Sequence, residues 1–478
     1  MNLLKLFKIL IGIILLSIGC TSDPPMNGSS MMDPPRPDTK IIPEEVESDS
    51  SVAFVGVNVV PMDREQILAD QTVLIQNGMI AQIGPSASTT LPASVVKIVS
   101  NGSYLMPGLA GMHAHLIVEG DLLPLLANGV TTILNMGEVS APVLFWRNQI
   151  QLGERIGPTV YAGAWTRSGD ATGPEGQKVR TPGRARSYIR QKKNQGYDFI
   201  KVWSVGANGF SPEVFAAIME EAANQGYAVM GHARGTFIST RRALELGQVM
   251  VAHAEEYFWS HFNATHNTSL IQDAIDFTLN SGAYVTPSLM IDKTISLIQG
   301  NVEGGLAQLL AQPGNRFLDP NGEQRWRNQI NTSNLSPPGS QPDQYVPTYN
   351  FIKSYTKAFS DAGVPLLLGS DMGYVGSIPG FTIHEEMQIL SEIGLTPYQI
   401  LETGTKNASE FITQYIPGAS AFGIIEPGRQ ADLILLDANP LEDIANVKNR
   451  VGVMTRGHWF SETKLEQMLE ELAQSYGN

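Results

Sequence analysis

Six side chains able to bind metal or exchange protons recur through the middle of this 478-residue chain: His113, His115, Lys201, His232, His253 and Asp371. Each stands at or just past the end of an apolar, β-like run. Imidazoles and a carboxylate are ligands for a divalent cation. His113 and His115 are two residues apart, and such residues on a strand point the same way, so both rings can face one ion. Lys201 lies in Asp198-Phe199-Ile200-Lys201-Val202-Trp203, otherwise a run that reads as a buried strand. A charged amine there is costly. Desolvation lowers its pKa from about 10.4, and the neutral amine can add carbon dioxide. The carbamate so formed has two oxygens and can bridge two cations about 3.5–4 Å apart. Singly, each residue reads equally well as a hydrogen-bonded core group, or as a lysine snorkelling from a strand end. In one order, at the ends of successive strands, they read as one site.

The elements that must position them alternate strand and helix. Candidate strands cover residues 108–113, 130–136, 159–165, 198–203, 227–232, 249–254, 283–287 and 365–370. Eight strands alternating with helices predict an α/β fold, a (β/α)8 TIM barrel whose chemistry lies at the C-terminal strand ends. Ser211 and Pro212 open a helix running to Gln225. Residues 290–350 are too long for a plain connection and predict an inserted subdomain or lid. Ser168 to Gly183 is a glycine-rich, charged loop that either closes over a substrate or simply lies on the surface. Both flanks are β-rich: residues 52–60, 72–76 and 79–84, with Asn77-Gly78 as a hairpin turn, and residues 431–437 and 450–455. They predict a small β-sandwich with parts at 51–104 and 416–463, around a barrel at 105–415, and a terminal helix or tail at 464–478.

The net charge of −14 gives no basic surface for nucleic acid. Lys5 and Lys8 precede an apolar run from Ile9 to Ile18, which is a signal-peptide pattern over residues 1–20 and short for a membrane span. Cys20 is the single cysteine, so no internal disulfide exists. Its setting resembles the lipobox of bacterial lipoproteins, although Ser17 stands where leucine is usual. Lipidation at Cys20 would anchor an exported enzyme to the cell envelope, with that lipid as its one membrane contact. Residues 21–50, rich in proline and acids, predict a flexible tether.

Met106-Pro107-Gly108-Leu109-Ala110-Gly111-Met112-His113-Ala114-His115, Phe199-Ile200-Lys201-Val202, Gly231-His232-Ala233, Ala252-His253-Ala254 and Gly369-Ser370-Asp371 resemble the motifs of the amidohydrolase superfamily. Within it they are closest in kind to imidazolonepropionase-like and prolidase-like metal-dependent hydrolases. The run from Gly423 to Ile434 matches that superfamily's closing segment, and the likeness covers about residues 52–460. The resemblance implies His113, His115 and Asp371 at one metal, His232 and His253 at a second, and carbamylated Lys201 between them. Two divalent ions, zinc first, would hold a hydroxide that attacks an amide carbonyl. Asp371 would be the catalytic group moving its proton to the leaving nitrogen, with the second metal polarising the carbonyl oxygen.

Ring-opening and deaminating members usually carry a glutamate three residues after the strand-5 histidine and tend to lack the lysine. Here that place is Gly235, and Lys201 is present. Both departures favour a binuclear hydrolase of a small molecule such as a dipeptide or N-acyl amino acid. A cyclic-amide hydrolase, or a metal-containing binding lipoprotein without turnover, are the alternatives. Substrate contacts are expected from Arg234, a guanidinium suited to a carboxylate that reads equally well as an outward ion-paired arginine, and from Tyr257 beside Glu255-Glu256. A polar loop explains those three equally well. The family often has a histidine at His384, which suggests a role at the pocket.

Overall fold

The computed structural model describes residues 40–137, 142–168, 175–207 and 209–477. The leader, Cys20 and most of the proposed tether fall outside that range. Among the described residues, no helix is long and apolar enough to cross a membrane.

The middle of the chain builds a parallel α/β sheet. Its strands are β1 (Leu109–Ala114), β2 (Val130–Asn135), β3 (Thr159–Ser168), β4 (Phe199–Gly206), β5 (Val229–Gly235), β6 (Met250–Val251) and β7 (Tyr284–Val285). They hydrogen-bond in sequence order, β1 beside β2 and so on to β7, with the short strand Lys178–Val179 pairing with Arg167 and Ser168 at the end of β3. Consecutive parallel neighbours require a crossover each, and the helices supply them. Pro212–Asn224 is one, capped by the Ser211 side chain accepting from the Val214 N–H, as that sequence predicts.

The expected eighth strand, residues 365–370, is not a regular strand but a run of single hydrogen bonds. Val285 N–H donates to Pro365 O and Leu367 N–H to Val285 O, while Met112 N–H donates to Leu368 O and His115 N–H to Met372 O. This segment therefore touches β7 on one side and β1 on the other, which curls the sheet toward itself. Met112, Leu134, Met136, Phe199, Met230, Met250 and Leu367 pack together as an apolar interior within the curl.

The two flanks share one ten-stranded mixed sheet with a core of its own, including Phe54, Val73, Leu433, Leu435 and Trp459. Tyr104–Pro107, immediately before the chain enters β1, pairs with Leu433–Leu436, so the two flanks are joined where the parallel sheet begins. The tether expectation to residue 50 is corrected here. Lys40–Ile41 pairs with Val96–Ser100 and Glu45–Val46 with His458–Ser461, because Val46 and Ile42 find apolar cover in that core. The terminal helix runs Glu462–Tyr476.

Residues 290–350 fold into helices Leu289–Ile298, Val302–Leu310 and Gly322–Thr332 and a 3-10 turn at Pro313–Phe317. Trp326 and Ile330 from this insertion share a core with Val375 and Ile378, just past Asp371. A cavity in the apolar interior of the curl should be expensive. Phe199→Ala is expected to lower unfolding free energy by about 3–5 kcal/mol, read by urea denaturation.

Candidate metal centre

All six predicted side chains meet, Lys201 from the third residue of β4, His232 from the middle of β5, and the others from at or just past the ends of their strands or segments. His113 lies in β1 and His115 one residue beyond it, held by its backbone bond to Met372. His113 Nε2 is 3.2 Å from Asp371 Oδ1, His115 Nε2 is 3.5 Å from the same oxygen, and His253 Nε2 is 4.0 Å from Oδ2. Lys201 Nζ stands 3.3 Å from His113 Nε2. The His113 and His253 rings stack at 4.4 Å, and those of His232 and His253 lie 4.8 Å apart. Lys201 is fully buried, and His113, His253 and Asp371 are nearly so.

Two glycines make the convergence possible. A Cβ on Gly231 (φ +127°) would fall 2.3 Å from Val202 O and 2.7 Å from Lys201 Cδ. The glycine before His232 thus leaves room for the stem of the lysine on the next strand. A Cβ on Gly369 would fall 2.9 Å from His113 Cβ, so that glycine lets the Asp371 segment close on β1. Asp371 itself has φ +51°, in the left-handed region that aspartate tolerates better than most residues.

Burial holds all four imidazoles neutral. It pushes His115 down to about 3 and His113, His232 and His253 well below the usual histidine range. Burial brings Lys201 down to about 7, against the pull of Asp371 and Glu256, and takes Asp371 up to about 7, against the pull of Lys201. The Nδ1 atoms of His113 and His115 lie 3.2 Å from the carbonyls of Ala252 and Gly137. A carbonyl only accepts, so Nδ1 carries the proton and Nε2 presents a lone pair. Those lone pairs face the buried Asp371 Oδ1, which has no hydrogen-bond donor among the described residues. Lone pairs aimed at a carboxylate oxygen repel one another unless a cation stands between them. The donor set fits a divalent metal.

Glu256 carries a role that sequence reasoning left undecided. It is fully buried, lies 2.8 Å from His232 Nδ1 through Oε1, and accepts the Ala233 N–H through Oε2 at 2.7 Å. A carboxylate on the far nitrogen fixes the tautomer and ring orientation of a ligand histidine. The available signal was an acid three residues after His253, in the first turn of the helix Glu255–Ser260, close enough to reach back to β5.

The three expected substrate contacts fare differently. Arg234 lies at the site but is engaged by acids, its Nη2 3.1 Å from Glu255 Oε1 and its Nε 3.1 Å from Glu256 Oε1. Tyr257 is corrected: it is fully buried behind the sheet, stacked on Phe277, with its hydroxyl 2.8 Å from Thr278 Oγ1. The first turn of the helix after His253 sends it into the apolar core. His384 is corrected too. Its Nε2 lies 3.0 Å from Asn128 O, at the N-terminal entry to β2 and thus at the opposite end of the sheet from the ligands.

A curled parallel sheet with imidazoles, a lysine and an aspartate at its C-terminal end defines a metal-dependent hydrolase architecture. Residues 104–460 match the model of the amidohydrolase family, and the chain belongs to that family, whose members are hydrolases of carbon–nitrogen bonds. It is 23% identical to the ochratoxinase of Aspergillus niger, over 84% of each chain. Among solved structures it is similar to a Xaa-Pro dipeptidase with methionine in the active site (TM-score 0.65, 18% identity, 86% of this chain and 100% of that one). It is also similar to the bottromycin amidohydrolase (TM-score 0.68, 18% identity, 91% of each).

Two variants separate positioning from packing. Glu256→Gln should weaken metal affinity by about 10- to 100-fold, measured by competition with a chromophoric chelator. Tyr257→Phe should cost about 1 kcal/mol of stability and leave KM unchanged, which a thermal melt and steady-state kinetics would show.

Proposed function

We propose that this protein is a binuclear metal-dependent amidohydrolase that cleaves a peptide-like C–N bond in a dipeptide or N-acyl amino acid. The observation that carries the reading is the buried Lys201 amine among four neutral imidazoles and Asp371. An ammonium 3.3 Å from His113 Nε2 would compete with a metal for that lone pair. A carbamate removes the positive charge and offers two oxygens in its place, so the lysine makes sense as a bridging ligand. His113, His115 and Asp371 would hold one ion, His232 and His253 the other, with zinc as the expected metal for imidazole-rich ligation. When bound, two such ions supply a nucleophile from water at neutral pH and polarise the scissile carbonyl.

The residues of the chain do the rest. Asp371, raised to about 7 by burial, is poised to take a proton from the attacking water and deliver it to the leaving nitrogen. Glu256 keeps His232 in the ligating tautomer. The apolar interior of Met112, Phe199, Met230 and Leu367 excludes water from the inner side of the strands that carry the ligands. In this reading residues 365–372 serve as the eighth strand of a closed (β/α)8 barrel, and the flanking sheet folds over its own core as a β-sandwich. The basic start and apolar run before Cys20 support export and lipid attachment to the bacterial envelope. The names of the similar proteins support an amide substrate: ochratoxinase, Xaa-Pro dipeptidase and bottromycin amidohydrolase.

Lys201→Ala tests the centre directly. Metal analysis should fall from two ions per chain to one or none, and turnover of a dipeptide and N-acyl amino acid panel should drop by at least about 1,000-fold. Two ions retained in that variant would overturn the carbamate bridge. Short carboxylic acids added to the variant should restore part of the activity by filling the space of the missing carbamate.

A further inference from the structure

Past β7 the chain turns through Ser288, whose φ of +50° is uncommon for a serine. The turn packs against the metal centre, because the N–H of Ala254, next to His253, donates to Pro287 O at 3.1 Å. The Ser288 hydroxyl is fully buried and has no hydrogen-bond partner among the described residues. One helical turn on stands Asp292, only 1% exposed. Its Oδ1 accepts from the Tyr345 hydroxyl at 2.7 Å, while its Oδ2 has no hydrogen-bond donor among the described residues. Donors on the same helix are engaged elsewhere: the Leu289 and Met290 N–H groups by Glu386, and the Lys293 ammonium by Glu385. Buried polar atoms in a native fold normally have partners. Two orphaned oxygens within one turn, beginning at a residue in an uncommon backbone region, mark a place that a ligand completes.

The charges around that place select the ligand. Glu255 is the foremost charge acting on Asp292, and Arg234 acts on it as well. Tyr374, three residues after Asp371, lies in the field of Glu255, Asp371, Arg234 and Asp292 together. Arg234 is already held by Glu255 and Glu256. Three carboxylates therefore share one guanidinium, and Asp292 Oδ2 is the acceptor left unanswered. An ammonium supplies both what the balance lacks and what the oxygen lacks, a positive charge and N–H donors. The cluster opens to solvent beside Arg234, whose side chain is 21% exposed, and at Trp259, whose indole N–H lies 3.3 Å from Glu255 Oε2 and whose ring is substantially exposed. Glu255 also acts on Asp371, the group assigned above to the leaving nitrogen. A cation received here thus sits close to the reacting carbonyl. The α-ammonium of an aminoacyl group is one carbon from that carbonyl, whereas the ammonium of a lysine side chain is several carbons farther.

We propose that Asp292 and Glu255, with the Ser288 hydroxyl beside them, form a subsite for the α-ammonium of an aminoacyl substrate. This rests on the hydrolase reading above and, of the two substrate kinds named there, selects the dipeptide with a free amino terminus over the N-acyl amino acid.

The test compares L-alanyl-L-phenylalanine with isobutyryl-L-phenylalanine, in which a methyl group replaces the ammonium, on the zinc-loaded full chain. Binding is read by calorimetry with the ketomethylene analogues of both, which have no C–N bond to cleave. The wild type should bind the ammonium analogue at least about tenfold more tightly than the methyl one. Asp292→Asn, which keeps the shape and loses the charge, should bring the two within about twofold, and Asp292→Glu should fall between. In turnover, Asp292→Asn should lower the ratio of kcat/KM for the two probes by about tenfold or more, chiefly through KM of the dipeptide. Should Asp292→Asn fail to give a folded, zinc-loaded chain, Glu255→Gln carries the same comparison. An ammonium preference absent from the wild type, or retained in the folded variant, would overturn the subsite. A wild type that cleaves neither probe, yet shows a binding preference that Asp292→Asn removes, counts against the hydrolase alone. Cleavage with the preference intact in Asp292→Asn counts against the subsite alone.

Discussion

The structure turns on one constraint: the amine of Lys201 is fully buried, 3.3 Å from an imidazole nitrogen. Water cannot share its charge, so burial brings it down to about 7, and the same dry setting takes Asp371 up to about 7. Their attraction offsets desolvation only in part. Near neutral pH a small change in surroundings decides whether either group is charged. Four imidazoles held neutral around them contribute lone pairs instead of protons. A cluster built this way has a strong appetite for divalent cations and for the loss of the lysine proton.

Everything nearby serves that crowding. Lys201 can enter because Gly231 has no Cβ to block its stem, and Asp371 can approach because Gly369 lets its segment lie against His113. Beside the six side chains lies the apolar interior of Met112, Phe199, Met230 and Leu367. Glu255 and Glu256 place two carboxylates around one guanidinium, Arg234. If all three are charged, the group carries one net negative charge beside the ligands, which favours cations at the centre.

Much of this was legible in the sequence, for a physical reason. Imidazole, amine and carboxylate side chains at or near the ends of apolar runs are local patterns, so the cluster of His113, His115, Lys201, His232, His253 and Asp371 could be read from them. Roles set by the turn after a strand could not. Tyr257 and Glu256 are adjacent, yet the first turn of one helix sends the tyrosine into the core and the glutamate to His232. Helical phase changes by about 100° per residue, so a one-residue difference in where the helix starts exchanges those fates. His384 misled because a helix after the last strand can present either end of the sheet to a given residue.

The insertion at residues 290–350 has a place in the same logic. The closure entropy of so long a connection grows only slowly with its length, but ordering its chain still needs contacts to offset it. Its contacts fall where the site is most demanding. Gln329 Nε2 donates to Gly373 O at 3.0 Å, two residues beyond Asp371, and Trp326 and Ile330 pack with Val375 and Ile378 of the same loop. Gly373 N–H donates to Ser377 Oγ, and Tyr374 N–H to Asp371 O. The loop that carries the left-handed aspartate is thus fixed from within by its own turn and from outside by the inserted helices. A residue in an uncommon backbone region persists only when its surroundings over-determine it. The inserted helices are that surrounding, which makes them part of the centre although they contribute none of its six side chains.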